Sequence, residues 1–267
     1  MIHRTQTQLI HMEKETLRKE SATLKDRSQI LKELTLDSNY YGEFGRQFLS
    51  NSDIRSLLKD PKNFHKESIK TVPMVIGGYF HTIICEPDKV DSYKIIDATS
   101  RNTKAYKELS NGEVCLLEAE ADKIEKMRDD LLANDTVRGL IKGAGIEYEV
   151  PGLGLVHGET WKGKADILNH NEKLIIDLKT TADLSKFRSS AYRYNYDSQA
   201  YIYQHLFGYE MIFIAIDKNS NNIGIYDCSE KFLESGKQKV IDAVAQYQLF
   251  FKNPEFNFEN YFISETL

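Results

Sequence analysis

From Ile146 onward, the apolar residues of this chain fall into short segments that are separated by turn residues. Before this point they recur at helical spacing between Cys115 and Lys142, and Gly143 and Gly145 end that pattern. Pro-Gly, Gly-Glu and Asn-His-Asn-Glu sequences then separate four short segments, Ile146–Val150, Leu153–His157, Trp161–Leu168 and Leu174–Lys179. The pattern predicts an antiparallel β-meander that follows a long helix.

Further elements are predicted on both sides of the meander. The segment Leu49–Leu58 reads as a short helix, with Ser50 or Ser52 as N-cap and both Leu57 and Leu58 facing inward. Val72–Pro87, which contains Gly77 and Gly78, fits a helix packed closely on its neighbour, with a buried strand as the alternative. After the meander we expect a helix, two strands and a terminal helix at Ala191–Phe207, Met211–Ile216, Ile223–Asp227 and about Ser235–Phe251.

The organisation that follows is one α/β domain with an α-helical N-terminal extension. Residues 1–36 are polar and rich in Lys and Glu, which predicts a helical or flexible arm, and residues 37–267 form the single domain. The formal net charge of −5 does not by itself indicate a nucleic-acid binder, although a local basic groove or a bound metal reverses the local field.

The cysteines and the hydropathy indicate a cytoplasmic protein without a membrane span. Cys85, Cys115 and Cys228 are far apart and odd in number, which argues against a disulfide framework, a zinc site or an iron–sulfur cluster. We therefore expect reduced thiols. No run of eighteen apolar residues occurs in the sequence.

Three charged side chains lie close together in the predicted hairpin. Asp177 and Lys179 alternate along the apolar segment Leu174–Lys179 and would share one face of a strand. A tight hairpin would bring Asp166, near the end of the preceding strand, beside Asp177. Two carboxylates on an apolar sheet repel each other unless a cation joins them, and Mg²⁺ or Mn²⁺ prefers such oxygen ligands.

This chemistry suits the hydrolysis of a phosphodiester, because a divalent ion polarises phosphate and lowers the pKa of a bound water. The lysine can orient or help deprotonate that water. The alternative is a surface salt bridge on an amphipathic hairpin, since acid-x-Lys triplets occur by chance. The apolar neighbours of Asp177 imply a buried strand, and a buried charge favours the functional interpretation.

The motif Asp166…Asp177-Leu-Lys179 resembles the PD-(D/E)XK nuclease signature, with Ala165 in place of the proline. From about Leu49 onward the chain is similar to exonucleases of the RecE type, the exonuclease VIII family. The segments that carry this resemblance are Leu49-Ser-Asn-Ser-Asp53-Ile with Asp60-Pro61, Gly77-Gly-Tyr-Phe-His81, Cys85-Glu-Pro87, Arg101-Asn-Thr-Lys104, Ile176-Asp-Leu-Lys-Thr-Thr181 and Tyr196-Asp-Ser-Gln199-Ala-Tyr-Ile-Tyr203. It departs from the family at Ala165 and at Asn102, where members often have Pro and Arg.

The resemblance implies a central mixed β-sheet flanked by helices and a set of metal ligands. His81, Asp166 and Asp177 would bind the metal together with the backbone carbonyl of Leu178, and Lys179 would act on the attacking water. Taken alone, His81 is better explained as a hydrogen-bonded core histidine, and only the surrounding motif favours a metal ligand. A neutral imidazole is needed for metal binding, so activity should fall in acid.

Other residues are weaker candidates. Gln199 and Tyr203 share one helix face at spacing i, i+4 and would act beside Lys179, with packing in a Tyr-rich helix as the alternative. Glu147 would line the site or hold a second ion, unless it is a surface acid. Substrate contacts are expected from Thr180 and from basic residues that are otherwise solvated surface charges, namely Arg101, Lys104, Lys162, Lys164, Arg188 and Arg193.

These observations together predict a Mg²⁺-dependent exonuclease, with Mn²⁺ as a substitute ion. By resemblance it would degrade one strand of linear duplex DNA from the 5′ end, leave 3′ overhangs for a RecT-like annealing protein and assemble into a ring. The alternatives are a structure-specific or sequence-specific endonuclease of the same superfamily, or a catalytically silent DNA-binding module.

Overall fold

The computed structural model of the chain describes residues 26–66 and 69–257, and two compact units divide them between Phe48 and Leu49. In the first unit residues 26–33 are helical, and a short helix Asp37–Tyr41 and a 3-10 turn Gly45–Gln47 follow. The described part of the predicted N-terminal arm is therefore helical, whereas residues 1–25 of that arm lie outside the described residues. The boundary predicted at residue 36 stays a prediction.

The second unit combines helices with a central sheet. Its helices are α1 (Asn51–Lys59), α2 (Val72–Cys85), α3 (Lys104–Ser110), α4 (Glu118–Ala133), α5 (Asp135–Ile141), α6 (Phe187–Arg193), α7 (Tyr196–Phe207) and α8 (Glu230–Tyr247). Its strands are β1 (Ile95–Ile96), β2 (Leu116–Leu117), β3 (Ile146–Val156), β4 (Glu159–Asn169), β5 (Leu174–Thr181), β6 (Glu210–Asp217) and β7 (Ile223–Asp227). Within the described ranges, no helix combines the length and apolar character that a membrane crossing requires.

Five strands form the central sheet in the order β3-β4-β5-β6-β7. The neighbours β5 and β6 are parallel, because α6 and α7 carry the chain back across the sheet, and the other neighbours are antiparallel. β1 and β2 form a separate parallel pair. The predicted α/β fold, with a mixed sheet flanked by helices, is confirmed.

Each face of the central sheet has its own apolar core. On one face α1, α7 and α8 cover a cluster that includes Leu57, Trp161, Leu206, Phe213 and Val240. On the other face α2, α4 and α5 cover a second cluster that includes Phe80, Ile124, Ile141, Ile176 and Ile214. The inner strands are buried on both sides, which explains the continuous apolar run of Leu174–Ile176 and of Met211–Ile216.

Local chemistry explains where α1 and α2 begin and end. Ser50 donates from both its backbone N–H and its hydroxyl to the Asp53 carboxylate, at 2.8 and 2.7 Å, so α1 begins at the predicted N-cap. Leu57 is buried, but Leu58 is 37% exposed, so its predicted inward position is wrong. In α2, which is a helix and not the alternative strand, only Gly78 makes a close approach, because a Cβ there would lie 2.8 Å from the Tyr93 hydroxyl.

Four predicted segments have different bounds in the structure. The predicted helix Cys115–Lys142 begins with β2 and is interrupted at Asn134, whose side chain accepts a hydrogen bond from the Val137 N–H and starts α5. The predicted helix Ala191–Phe207 is divided at Asn195, whose backbone is left-handed with φ +61°. The first two meander segments form one strand, β3. This strand lies at the edge of the sheet, where a proline is tolerated, so Pro151 pairs with Lys164 and does not end the strand.

Candidate active site

The two aspartates of the motif lie side by side on the central hairpin. β4 and β5 pair antiparallel with Ile167 opposite Ile176, so Asp166 and Asp177 are the next residues along the two strands. Asp166 Oδ2 accepts a hydrogen bond from the Leu178 N–H at 2.9 Å, and Asp177 is 1% exposed. The predicted hairpin geometry is therefore confirmed.

Lys179 and Gln199 hold the two oxygens of the Asp177 carboxylate. Lys179 Nζ forms an ion pair with Asp177 Oδ2, and Gln199 Nε2 donates to Asp177 Oδ1 at 2.5 Å. The Lys179 ammonium also lies 4.7 Å from the centre of the Tyr196 ring, which is within cation–π distance. The lysine is thus fixed by a carboxylate and an aromatic ring, and its side chain is only 20% exposed.

His81 reaches the same place from α2, on the opposite face of the sheet from Gln199. Its Nε2 lies 3.0 Å from Asp166 Oδ1 and 3.2 Å from Glu149 Oε1. The structure therefore brings together His81, Asp166, Asp177, Lys179 and Gln199. We call these five residues and Glu149 the carboxylate cluster.

Glu149 takes the place that the sequence suggested for Glu147. The Glu147 side chain is 62% exposed and lies 3.4 Å from His170 Nε2, so the structure places it outside the carboxylate cluster. The physical reason is the register of β3 on β4, because Tyr148 lies opposite Ile167 and Val150 opposite Ala165, which puts Glu149 level with Asp166. Strand alternation places Glu147 and Glu149 on one face, so the sequence alone could not choose between them.

The charges of the cluster perturb one another strongly. Burial disfavours a charged imidazole, but the Asp166 and Glu149 carboxylates outweigh this effect and raise the pKa of His81 to about 9. Burial also disfavours ionised Asp166, yet the positive charges of His81 and Lys179 lower its pKa. Burial, followed by the charge of Asp166, raises the pKa of Asp177.

Burial is also the main cause of the pKa shifts of the two remaining acidic groups near His81, which are Glu149 and Cys85. It raises the pKa of Glu149 to about 7 against the opposing charge of His81. It raises the pKa of Cys85 as well, so this thiol keeps its proton. The ligand atoms of His81, Cys85 and Glu149 lie within 4.8 Å of one another, but the hard cations Mg²⁺ and Mn²⁺ prefer oxygen ligands to sulfur. The effective donors are therefore carboxylates and one imidazole.

This donor set fits a divalent cation. Asp177 Oδ2 and Glu149 Oε1 are buried and accept no hydrogen bond from the described residues, although Lys179 and His81 respectively lie beside them. Without a metal, the positive charges of His81 and Lys179 offset the repulsion of the three acids, and a bound cation would replace the proton of His81. His81, Asp166 and Asp177 would hold the ion, with Glu149 as a further oxygen donor.

Tyr203 and Lys164 lie beside the cluster in supporting positions. The Tyr203 hydroxyl donates to the Lys164 carbonyl at 3.1 Å and accepts from its N–H at 3.2 Å, which ties α7 to β4. Gly163 leaves room for the ring, since a Cβ there would lie 2.7 Å from it. Lys164 is buried, and its Nζ lies 3.8 Å from Glu149 Oε2. The catalytic role predicted for Tyr203 stays a prediction.

Among the described residues, Arg101, Lys104 and Thr180 form no hydrogen bond or ion pair with the carboxylate cluster. Arg101 donates to both oxygens of Glu120, at 2.8 and 2.5 Å, and to the Cys115 carbonyl. Lys104 is exposed and lies 3.6 Å from Glu108. Thr180 follows Lys179 on β5 and is half-buried, so its side chain points to the opposite face. Their roles in substrate binding stay predictions.

One known protein family matches most of the chain. Residues 49–256 match the model of the PDDEXK-like domain of unknown function (DUF3799), so the chain belongs to this family and has the fold of the PD-(D/E)XK nucleases. No curated protein matches the sequence. The signature that the family name describes corresponds to the hairpin that carries Asp166, Asp177 and Lys179.

One solved structure shares the fold at low sequence identity, and a second has a lower TM-score. A candidate exonuclease from Eubacterium rectale is 15% identical, with a TM-score of 0.57, over 87% of this chain and 95% of that one. A phage-related exonuclease from Haemophilus somnus 129PT is also 15% identical, with a TM-score of 0.36, over 77% of this chain and 95% of that one. The fold and the site together define a nuclease-like, hydrolytic class of protein.

Proposed function

We propose that the chain is a Mg²⁺-dependent exonuclease that hydrolyses the phosphodiester bonds of linear double-stranded DNA. The observation that carries this proposal is the convergence of His81, Asp166, Asp177 and Lys179 from separate elements within hydrogen-bond or ion-pair distance. A salt bridge on a solvated hairpin would not explain the burial of Asp177 or the approach of His81 from another helix.

Each residue of the cluster has a part in this reaction. A divalent ion, when bound, would polarise the scissile phosphate and lower the pKa of a bound water. His81, Asp166 and Asp177 would hold the ion, and the Leu178 carbonyl would complete the set. Lys179, fixed between Asp177 and Tyr196, orients the attacking water and stabilises charge that develops on the phosphate. Gln199 keeps the Asp177 carboxylate in place.

The finer part of the proposal is an exonuclease of the RecE type. It degrades one strand from the 5′ end and leaves 3′ overhangs for recombination with a RecT-like annealing protein. The motif resemblance supports this, as does the description of the structural neighbour from Eubacterium rectale as a candidate exonuclease. A ring-shaped homo-oligomer would keep an acidic chain on DNA by enclosing the duplex, which replaces part of the electrostatic attraction.

Digestion of end-labelled DNA tests the proposal. The full chain is incubated with 5′-labelled and 3′-labelled linear duplex and with a covalently closed circle, each with Mg²⁺ or with a chelator. We expect metal-dependent release of the 5′ label from linear duplex and no cleavage of the circle. Lys179→Ala should lose the activity, whereas Lys231→Ala, which removes an exposed lysine of α8, should retain it.

Other outcomes of the digestion would change or contradict the proposed function. Cleavage of the closed circle would replace the exonuclease by an endonuclease of the same fold. The absence of metal-dependent cleavage would leave a silent DNA-binding module, and equal cleavage by Lys179→Ala and the wild type would contradict hydrolysis at this site.

A further inference from the structure

A cleft of about 390 Å³ opens beside the carboxylate cluster, between α6, β6, β7 and the start of α8. Aromatic rings form most of its lining, namely Phe187, Tyr192, Phe213, Tyr226 and Phe232. Its volume lies in the range of about 300–1,000 Å³ in which proteins bind small ligands. We call it the aromatic cleft.

We propose that the aromatic cleft stacks a nucleobase of the DNA strand whose phosphate is bound at the carboxylate cluster. This inference rests on the proposed nuclease function and assigns a second part of the same substrate to its own binding site.

The sheet joins the aromatic cleft to the cluster. Phe213, in the cleft wall, is the register partner of Asp177 on the neighbouring parallel strand. The Phe213 ring stacks on Tyr196 with their centroids 5.5 Å apart, and Tyr196 holds the Lys179 ammonium. A DNA strand whose phosphate lies at Lys179 would therefore pass close to the aromatic cleft.

The rings of the cleft pack on one another and form an aromatic wall. Phe187 and Tyr226 stack with their centroids 4.4 Å apart, and Tyr192 meets Phe232 edge to face at 5.0 Å. Tyr192, Tyr226 and Phe232 line the cleft and are half-buried, so these side chains remain partly exposed. Gly224 makes room for the Tyr226 ring, since a Cβ there would lie 2.6 Å from it. Stacking on such rings binds any base, because every base has a π-face.

Charged groups of the lining distinguish a nucleotide from an apolar peptide. Arg188 and Asp227 line the cleft and are exposed, and neither side chain forms a hydrogen bond or ion pair with a described residue. An arginine suits the phosphate that follows a stacked base, and a carboxylate accepts hydrogen bonds from an exocyclic amine of the base. An apolar segment of another protein would leave both charges unmatched.

Base stacking can be measured without cleavage. The full chain, in chelator, is titrated with short single-stranded oligonucleotides that carry 2-aminopurine at successive positions from the 5′ end. We expect the fluorescence of at least one position to fall on binding, because stacking on a ring quenches it. Tyr226→Leu and Tyr192→Leu should each lower the affinity for the oligonucleotide, measured by this quenching, by about fivefold or more. Tyr209→Leu, a half-buried tyrosine that contacts His170 outside the cleft, is the matched control.

Two results would overturn the assignment. One is equal quenching and affinity in the wild type and both cleft variants. The other is a change in self-association of the cleft variants, seen by sedimentation, with oligonucleotide binding unchanged, which would make the cleft an interface between copies of this chain.

The failure of this inference differs from failure of the proposed function. If the wild type cleaves duplex while both cleft variants bind and quench normally, the cleft assignment alone is wrong. The wild type could instead cleave no DNA while its quenching signal is lost in Tyr192→Leu and Tyr226→Leu. The cleft assignment would then stand, and the proposed nuclease function would be wrong.

Discussion

Asp177 shows how a single buried charge is made tolerable in this protein. Removing an ionised carboxylate from water is costly unless charged or hydrogen-bonding partners replace the lost solvation. Lys179 supplies the charge, and Gln199 donates to the other oxygen. The cost of burying Asp177 is therefore met by residues that also fix its orientation, which is what a metal ligand requires.

Replacement of Gln199 tests this positioning role. Gln199→Leu keeps a side chain of similar size but leaves Asp177 Oδ1 without its donor. Loss of such a supporting hydrogen bond typically lowers metal affinity or activity by about 10- to 100-fold. We expect a fall of this size in the rate of DNA cleavage, with a weaker apparent affinity for Mg²⁺. The control Gln238→Leu changes an exposed glutamine of α8, and an equal loss in both variants would contradict the role.

Asp217 provides a pH-dependent prediction away from the carboxylate cluster. Its carboxylate accepts hydrogen bonds from the N–H groups of Asn219, Ser220 and Leu184, at 2.8, 3.2 and 3.2 Å. These bonds, that of Asn219 first, lower the pKa of Asp217. A group whose pKa is lower in the folded state stabilises the protein above its unfolded pKa of about 3.9, and this stabilisation is lost as the pH falls.

Asp217→Asn should therefore be less stable than the wild type by about 1 kcal/mol at neutral pH. The difference should disappear in acid, once Asp217 of the wild type is protonated in both the folded and the unfolded state. Urea unfolding of both proteins at several pH values measures the difference, and a difference independent of pH would contradict the assignment.

At the scale of elements, the packing of α8 on α7 fixes the helix that carries Gln199 and Tyr203. Gly236 of α8 lies directly against α7, where a Cβ would come within 2.0 Å of the Asp197 carbonyl oxygen. Asp197 is buried, and its carboxylate accepts from Lys239 and Ser235, at 2.8 and 2.7 Å. A close backbone approach and a buried ion pair thus hold the two helices together.

Gly236→Ala should destabilise the protein by about 1–3 kcal/mol, because the clash is with backbone atoms that cannot rotate away. Gly139→Ala, in an exposed part of α5 with open space at the Cβ, is the matched control. It should be neutral or slightly stabilising, since alanine favours helices. Thermal unfolding of both variants compares them, and equal midpoints would contradict tight packing at Gly236.

Sequence patterns predicted some elements of this fold and missed others. The hairpin of Asp166 and Asp177 was predictable because strand alternation and turn residues act locally. The divisions at Asn134 and Asn195 were not, because an asparagine within a helical pattern is equally compatible with a helix and with a cap. Glu149 was missed because its place beside Asp166 depends on the register of β3 on β4, which the sequence alone does not fix.

At the scale of the whole molecule, the carboxylate cluster lies where two helical layers meet the sheet. His81 comes from α2 on one face and Gln199 from α7 on the other, and the strands β4 and β5 supply the acids between them. The position of His81 depended on a motif resemblance, because no local pattern fixes contacts between Asp166 and a residue so distant along the chain. The two apolar cores hold these layers at the distances that the cluster needs.

The most direct test of the account is a calorimetric titration of the metal-free chain with Mn²⁺. The carboxylate cluster predicts binding by the wild type and an affinity at least about tenfold lower in Asp166→Asn and in His81→Ala. Glu147→Gln, which changes the exposed acid outside the cluster, should bind as the wild type does. Equal Mn²⁺ affinity in the wild type and Asp166→Asn, or no binding by any of the four proteins, would contradict the metal site on which the proposed function depends.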